Sequence, residues 1–252
     1  MTKTTVIHEG DVPYRPQPTL KEALEQKKIG MYEDRIANIS AFRGCKHDCV
    51  YCAFKRTLRF QKCDACRAFE PHAHLEALLK KPPKTKPGQF VTVGLTGDIA
   101  FATKDELQAI IRYCNKYPET TFVLQTKDPR IFLDQEIQNM ITGNMIIGTT
   151  IETNINKHGT YSKAPSVFKR LEVMEKLDCR KMITIEPIIA FSPLFGVDIA
   201  NIHPEIVWVG YDSKNHKLLE PSLYKTINLI EFLRGAGIDV REKLIRKAWN
   251  EE

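Results

Sequence analysis

The sequence predicts an α/β fold, an open (β/α)6 partial TIM barrel with a three-cysteine loop directly after its first strand. Three observations predict it. Six short apolar runs rich in β-branched residues are separated by segments of helical periodicity. Strands joined through helices form parallel sheets with right-handed crossovers. Six such units are too few to close a barrel of eight.

The elements follow in order. Residues 1–34 read as an irregular leader with one short helix, Leu20 to Lys28. Pro13, Pro16 and Pro18 keep the stretch before it extended. Ile36–Phe42 is the first strand. Residues 53–89 form a long excursion, a candidate metal-binding insertion. It ends in Lys80-Lys81-Pro82-Pro83-Lys84-Thr85-Lys86-Pro87-Gly88, expected as an exposed turn or mobile loop. Phe90–Gly94 is the second strand. Thr103 and Glu106 then form a capping box, with Leu107, Ile110, Ile111 and Cys114 at helical spacing behind it. Thr121–Gln125 is the third strand, and Asp128-Pro129 opens the next helix. Met145–Ile151 is the fourth strand. Val167, Phe168, Leu171, Met174 and Leu177 mark the apolar face of a helix. Met182–Ile185 and Ile206–Val209 are strands five and six. Leu223, Ile227, Ile230 and Leu233 mark a helix stopped by Gly235 and Gly237. The barrel domain is expected over 35–238, and residues 239–252 as an amphipathic tail helix.

Composition sets the class. Of 252 residues, 42% are hydrophobic and 27% charged, as in an ordinary globular protein. No apolar run approaches the roughly 20 residues of a membrane span, and no secretory signal is visible. A cytoplasmic location follows as the expectation, with no membrane partner. Seven cysteines then read as metal ligands or core residues rather than a disulfide framework. The net charge of +6 is compatible with a nucleic-acid partner without establishing one. Arg43, Lys46, Lys55, Arg56, Arg59 and Lys62 gather near the cysteine loop, where they also balance the charge of thiolates.

That loop runs Cys45-Lys46-His47-Asp48-Cys49-Val50-Tyr51-Cys52. Its Cys-x3-Cys-x2-Cys spacing can aim three thiolates at three corners of a [4Fe–4S] cluster, leaving the fourth iron open to another ligand. The alternatives are structural thiols or three of four zinc ligands. Zinc sites more often show paired Cys-x2-Cys units.

The spacing, with the aromatic Tyr51 before the third cysteine, resembles the radical S-adenosylmethionine (SAM) superfamily. The resemblance implies that Cys45, Cys49 and Cys52 hold the cluster. SAM then binds the open iron through its amino and carboxylate groups. An electron splits it to a 5′-deoxyadenosyl radical, and a reductase or a flavodoxin- or ferredoxin-type protein supplies that electron. The superfamily's (β/α)6 core agrees with the strand count. Gly94-Leu95-Thr96-Gly97-Asp98 stands where these enzymes carry a Gly-Gly-Glu-Pro-like segment contacting the SAM amine, and it departs from that pattern. Gly97 and Asp98 become the candidates there, against a loop-capping Asp. Glu152, after strand four, is the candidate for the ribose hydroxyls. Glu186, after strand five, would hold SAM or face the substrate. The order Leu-Thr-Gly-Asp, Leu-Gln-Thr-Lys-Asp-Pro, Thr-Ile-Glu-Thr-Asn, Ile-Glu-Pro and Val-Trp-Val-Gly resembles a phage- and archaea-associated branch of unassigned activity. That branch is distantly similar to spore photoproduct lyase. Together the motifs span about residues 36–235.

A second candidate metal set lies in the excursion. Cys63, Cys66, His72 and His74 offer two thiolates and two imidazoles, a possible tetrahedral zinc set. An auxiliary iron–sulfur cluster, or no site at all, are the alternatives. Cys114, Cys179 and Trp208 read as core residues. The function expected is reductive SAM cleavage, with the radical used on a nucleic acid or nucleotide-derived substrate, on the grounds of the basic balance, the lysine-rich segment 80–86 and the distant resemblance to the lyase. A peptide or small-metabolite substrate is the alternative. A non-catalytic metal-bound binding protein is the rival of another class.

Overall fold

The computed structural model describes residues 32–155 and 161–251. The helix expected over 20–28 lies outside them. Strands β1 (Arg35–Ile39) and β2 (Phe42–Arg43) come first. Short helices α1 (Phe54–Thr57) and α2 (Asp64–Ala68) lead to β3 (His72–Ala73). Then follow β4 (Phe90–Val93), α3 (Lys104–Asn115), β5 (Phe122–Gln125), α4 (Gln135–Met140), β6 (Met145–Thr150) and α5 (Val167–Lys176). The chain ends with β7 (Arg180–Ile185), α6 (Phe195–Asn201), β8 (Ile206–Gly210), α7 (Leu223–Gly235) and β9 (Asp239–Lys243).

Seven strands form one sheet in the order β1-β4-β5-β6-β7-β8-β9, every pair parallel. The sheet curls into a half-barrel. It has one strand more than the sequence predicts. The tail expected as a helix over 239–252 is a strand at Asp239–Lys243, followed by irregular chain and a turn. Charge on both faces hides it. Val240 packs outward beneath α7, while Arg241 reaches Asp34 at 2.8 Å and Lys243 pairs with Glu186. Edge strands commonly carry such charges, which block pairing with another chain.

Side chains alternate across each strand, and the inward set is layered. Phe90, Val123, Ile146, Met182, Ile206 and Trp208 fill the bottom of the half-barrel together with Tyr32. Tyr32 meets Phe90 and Trp208 edge-on, at ring distances of 5.8 and 5.4 Å. Two residues further along come Thr92, which donates to Asn38 at 2.9 Å, and Gln125 and Thr184, joined by a hydrogen bond from Gln125 Nε2 to Thr184 Oγ1 at 3.1 Å, with Tyr32 donating to Gln125. Apolar floor thus gives way to polar wall toward the C-terminal strand ends, where parallel α/β sheets place their sites. The outward set packs against the helices in the larger core, which includes Val91, Ile110, Phe122, Ile147, Ile183, Val207 and Leu233.

The local signals act as expected in several helices. The α3 capping box is complete: Glu106 N–H donates to Thr103, and Glu106 accepts from Thr103 N–H at 2.8 Å. Asp128 caps only a 3-10 turn, Pro129–Leu133, and Asp134 caps α4 after it. In α5 the buried face is Arg170, Leu171, Val173 and Met174, and Phe168 is half exposed. The first strand stops at Ile39, short of the expected Phe42. Ala41 turns the chain out, and Phe42–Arg43 pair antiparallel with His72–Ala73 instead. The lysine-rich segment is largely exposed, as expected, and is tied to the body by hydrogen bonds. Tyr113 donates to Lys80 O, Thr120 to Pro83 O, and Thr121 N–H to Thr85.

Candidate functional site

Cys45, Cys49 and Cys52 line one cleft at the C-terminal strand ends, with Tyr51, Gly97, Asp98, Gln125, Lys127, Thr150, Glu186, Asp212 and Lys243. The cleft spans about 1040 Å³, its solvent-open mouth included. All three predicted thiols therefore meet in one place. Among the described residues no other cysteine and no histidine shares the lining, although a ring nitrogen of His47 comes within 4.8 Å of Cys45 Sγ and of an Asp98 oxygen.

The loop's shape follows from its sequence. Gly44 takes φ +78°, and a Cβ there would sit 2.0 Å from Glu70 O. Only glycine satisfies both constraints. Asp48 adopts φ +51°, and Lys55 and Lys163 bind its two carboxylate oxygens at 2.9 and 3.1 Å. Cys45 N–H donates to Phe69 O, and Cys52 N–H to Cys49 O, both at 3.1 Å. His47 N–H reaches Cys45 Sγ at 3.3 Å, and Cys49 Sγ lies 3.2 Å from Ser162 Oγ. Burial, with Asp98 close by, pushes the Cys45 thiol up.

Gly97 pairs with Gly44 in an isolated parallel bridge. A Cβ at Gly97 would lie 2.6 Å from the Arg43 backbone, so this glycine is required for packing as well as lining. Asp98 is almost fully engaged by the protein. Its Oδ1 accepts from Ala100 N–H and the Thr126 hydroxyl, and its Oδ2 from Lys127 N–H, with His47 Nε2 at 3.1 Å. Burial opposes its charge, but the bond to His47 and the other donors outweigh it and hold the carboxyl below its ordinary range. The geometry makes Asp98 a loop-capping residue bordering the cleft.

Glu152 lies behind the cleft rather than in it. Lys127 Nζ is 2.5 Å from Oε1, Arg170 is 2.9 Å from Oε2, and the Tyr51 hydroxyl donates to Oε1. Burial again opposes the charge, and Arg170 with Lys127 holds the carboxyl well below the usual range. Tyr51 is thereby anchored, with Lys127 Nζ 2.9 Å from its oxygen. Glu186 differs. Oε1 pairs with Lys243 while the buried Oε2 has no hydrogen-bond partner among the described residues, and the side chain lines the cleft. Burial raises its carboxyl despite Lys243, and Asp212 adds to the rise. Glu152 Oε2 also lacks a hydrogen bond but pairs with Arg170, so of the three predicted carboxylates only Glu186 keeps an oxygen with neither a hydrogen-bond nor an ion-pair partner among the described residues.

Sequence reasoning did not assign His47, Arg170, Asp212 or Lys243 to the site. His47 lies inside the cysteine motif, a signal that was present. Lys243 was hidden in the supposed tail helix. Cys63, Cys66, His72 and His74 come together outside the cleft, all four ligand atoms within 4.8 Å of one another. Backbone N–H groups of Cys66 and Ala65 push the Cys63 thiol down to about 7. Cys114 is buried in the core as expected. No helix among the described residues is long and apolar enough to cross a membrane.

Neither a protein-family model nor a curated protein sequence matches the chain. Solved structures share its fold. Spore photoproduct lyase complexed with dinucleoside spore photoproduct is similar over 76% of this chain and 59% of that one, with a TM-score of 0.53 at 13% identity. Streptococcus suis SuiB bound to S-adenosylmethionine is similar over 83% of this chain and 50% of that one, with a TM-score of 0.51 at 11% identity. SuiB bound to its precursor peptide SuiA gives 0.50 at 10% identity. The chain thus spans about three-fifths of the length of the lyase it matches and about half of SuiB.

Proposed function

We propose that this chain is a radical SAM enzyme in which Cys45, Cys49 and Cys52 hold a [4Fe–4S] cluster at the mouth of the half-barrel. One observation carries the reading: three thiols from a single loop line one cleft, while His47, with a ring nitrogen within 4.8 Å of Cys45 Sγ, is turned to Asp98 at 3.1 Å. Such a donor set suits a cluster that keeps one iron open. When bound, the cluster supplies the electron that reductively cleaves SAM to methionine and a 5′-deoxyadenosyl radical. The fold shared with SAM-bound SuiB is consistent with this.

The chain's own residues give binding and positioning. Gly44 and Gly97 let the cysteine loop and the β4–α3 loop approach. Asp98, through His47, Thr126 and the Lys127 backbone, fixes the distance between them. Glu152 neutralises Lys127 and Arg170 and holds Tyr51 beside the cleft. Glu186, which lines the cleft with one carboxylate oxygen unpaired, is the group that receives a SAM hydroxyl or amine, or a polar atom of the substrate. An external reductant of the ferredoxin or flavodoxin type, or a reductase, supplies the electron.

For substrate, nucleic acid is the class best supported. The lysine-rich segment 80–86 does not support it, since it leads into the N-terminal end of β4, opposite the cleft. A different patch does. Arg56, Arg59 and Lys62 are exposed beside Phe60, which is 84% exposed, and these cations form no ion pair among the described residues. The patch follows Ala53 and Phe54, which line the cleft. Cations interleaved with an aromatic are a footprint for phosphates and unstacked bases. The test is anoxic SAM cleavage with dithionite, with and without single-stranded DNA, RNA or peptides. Stimulation by a nucleic acid that weakens steeply with salt supports the reading. Stimulation by peptides alone assigns the substrate to the other class. No SAM cleavage from iron-loaded protein overturns the enzyme reading.

A further inference from the structure

The Cys63, Cys66, His72 and His74 cluster plays no part in the cleft chemistry. Its geometry comes from three local rules. Cys63 and Cys66 stand three residues apart at the start of α2, so both sulfurs face one side. His72 opens β3 and His74 follows it directly, two residues on, and the two Nε2 atoms come within 2.8 Å of each other. Pairing of Arg43 with His72 and of Phe42 with Ala73 then sets them against the two sulfurs.

The distances are those of a metal shell drawn slightly tight. His72 Nε2 lies 3.4 Å from both Cys63 and Cys66 Sγ, and His74 Nε2 lies 3.3 Å from Cys66 Sγ. The two Nε2 atoms are 2.8 Å apart. Zinc bound tetrahedrally, with Zn–S near ~2.3 Å and Zn–N near ~2.0–2.1 Å, separates its ligand atoms by roughly 3.3–3.8 Å. Opening the set by about half an ångström or less admits the ion.

The other imidazole nitrogens point to the same answer. His72 Nδ1 is 2.7 Å from Glu70 O, and His74 Nδ1 is 2.7 Å from Glu76 Oε1. Both are acceptors, so each Nδ1 is placed to donate, which leaves each Nε2 facing the shared centre. Two such nitrogens at 2.8 Å need a cation, a proton or a metal ion, between them. A histidine that donates one ring N–H to a carbonyl or carboxylate while its other nitrogen faces a shared centre has the second shell of a metal ligand.

We propose that Cys63, Cys66, His72 and His74 bind one zinc ion as a closed, structural centre, independent of the cysteine loop. Two thiolates and two neutral imidazoles balance the ion's charge. The Arg43 guanidinium, 3.7 Å from Cys66 Sγ, offsets any excess on sulfur. Four protein ligands leave no open position, so the centre is structural rather than catalytic. Its place in the chain gives it a job. The residues between Cys66 and His72 include Phe69, whose carbonyl accepts from Cys45 N–H, and Glu70, whose carbonyl abuts Gly44. The ion closes this segment against β2 and so forms the floor beneath Cys45.

The test uses the full chain with Cys45, Cys49 and Cys52 all replaced by Ala, which keeps it separate from the cluster reading. Elemental analysis is expected to give one zinc per chain, retained on desalting. Cobalt exchange should give the visible bands of a four-coordinate S2N2 site. His74→Ala should lose the metal, and His74→Cys, which restores four ligands, should regain it. Glu76→Gln should weaken zinc in chelator competition by about 10-fold or more while leaving the fold intact. Cys179→Ser should leave zinc unchanged. A folded triple variant without zinc, occupancy indifferent to His74→Ala, or iron in place of zinc would each overturn the proposal.

Discussion

Gly44 and Gly97 face each other across an isolated parallel bridge that joins the cysteine loop to the loop after β4. Gly44 N–H donates to Thr96 O at 3.3 Å, and Asp98 N–H to Gly44 O at 3.0 Å. Neither position has room for a Cβ. The thiols and the capping carboxylate are therefore held together by a backbone contact that only two glycines permit.

Gly44→Ala is expected to disorder the cysteine loop. The left-handed backbone alone costs an alanine about 1–3 kcal/mol, and the overlap with Glu70 O adds to that. Urea unfolding and iron content after anoxic reconstitution check it. Wild-type values for both would show that the loop tolerates a side chain.

Replacing Cys45, Cys49 and Cys52 by Ala should abolish the brown colour of reconstituted protein and its broad absorption near ~400 nm, as expected of thiolate-ligated clusters. The ultraviolet circular dichroism should keep its α/β form. Undiminished colour in the triple variant would move the cluster elsewhere.

Arg170→Met is expected to cost about 1–3 kcal/mol, because Glu152 keeps Lys127 but loses Arg170, and the Thr150 carbonyl loses its donor. Lys84→Ala, at an exposed pair with Glu119, should cost no more than about 1 kcal/mol. The Glu152 carboxyl is lowered on folding. Its contribution is thus present above the unfolded value of roughly 4.3 and fades as pH falls through the lower folded value. The gap between wild type and Arg170→Met should narrow on acidification. Equilibrium unfolding at pH 7 and at acid pH measures both effects, and a gap that widens would contradict the buried pairing.

Asp98→Asn and Glu186→Gln should separate positioning from binding. An asparagine amide at position 98 faces four donors and loses the charge-assisted contact with His47. A stability loss of about 1–3 kcal/mol should accompany slower SAM cleavage. Glu186→Gln should leave SAM cleavage at saturation less affected but weaken SAM binding by roughly tenfold or more, the worth of one charge-assisted hydrogen bond. Because burial raises the Glu186 carboxyl, wild-type binding should tighten as pH rises through that raised range, and the variant should lack this dependence. Titration calorimetry on cluster-loaded protein decides. Equal SAM affinity in Glu186→Gln and wild type would show that Glu186 does not bind SAM and leave it facing the substrate.

The residues of the site differ in how they could be read. Cys45, Cys49 and Cys52 are neighbours in one loop, so local spacing alone tells what they can ligate. Strand ends were equally readable, because β4 to β8 are apolar runs bounded by helical periods. That placed Asp98, Glu152 and Glu186 on one rim. Cys63, Cys66, His72 and His74 were legible as a set, since twelve residues contain all four.

What each carboxylate does there was decided by the tertiary structure alone. Asp98 is taken up by His47 and by Thr126 and Lys127 of another β/α unit. Glu152 is taken up by Lys127 and Arg170, and Arg170 belongs to a helix whose apolar periodicity drew attention to Phe168 instead. Glu186 keeps one acceptor free because Lys243, 57 residues away on an edge strand with no apolar alternation, reaches only the other. The sequence carries the kind and order of ionisable groups. Whether a buried charge is already spent on a partner depends on contacts across long stretches of chain, which no local period records.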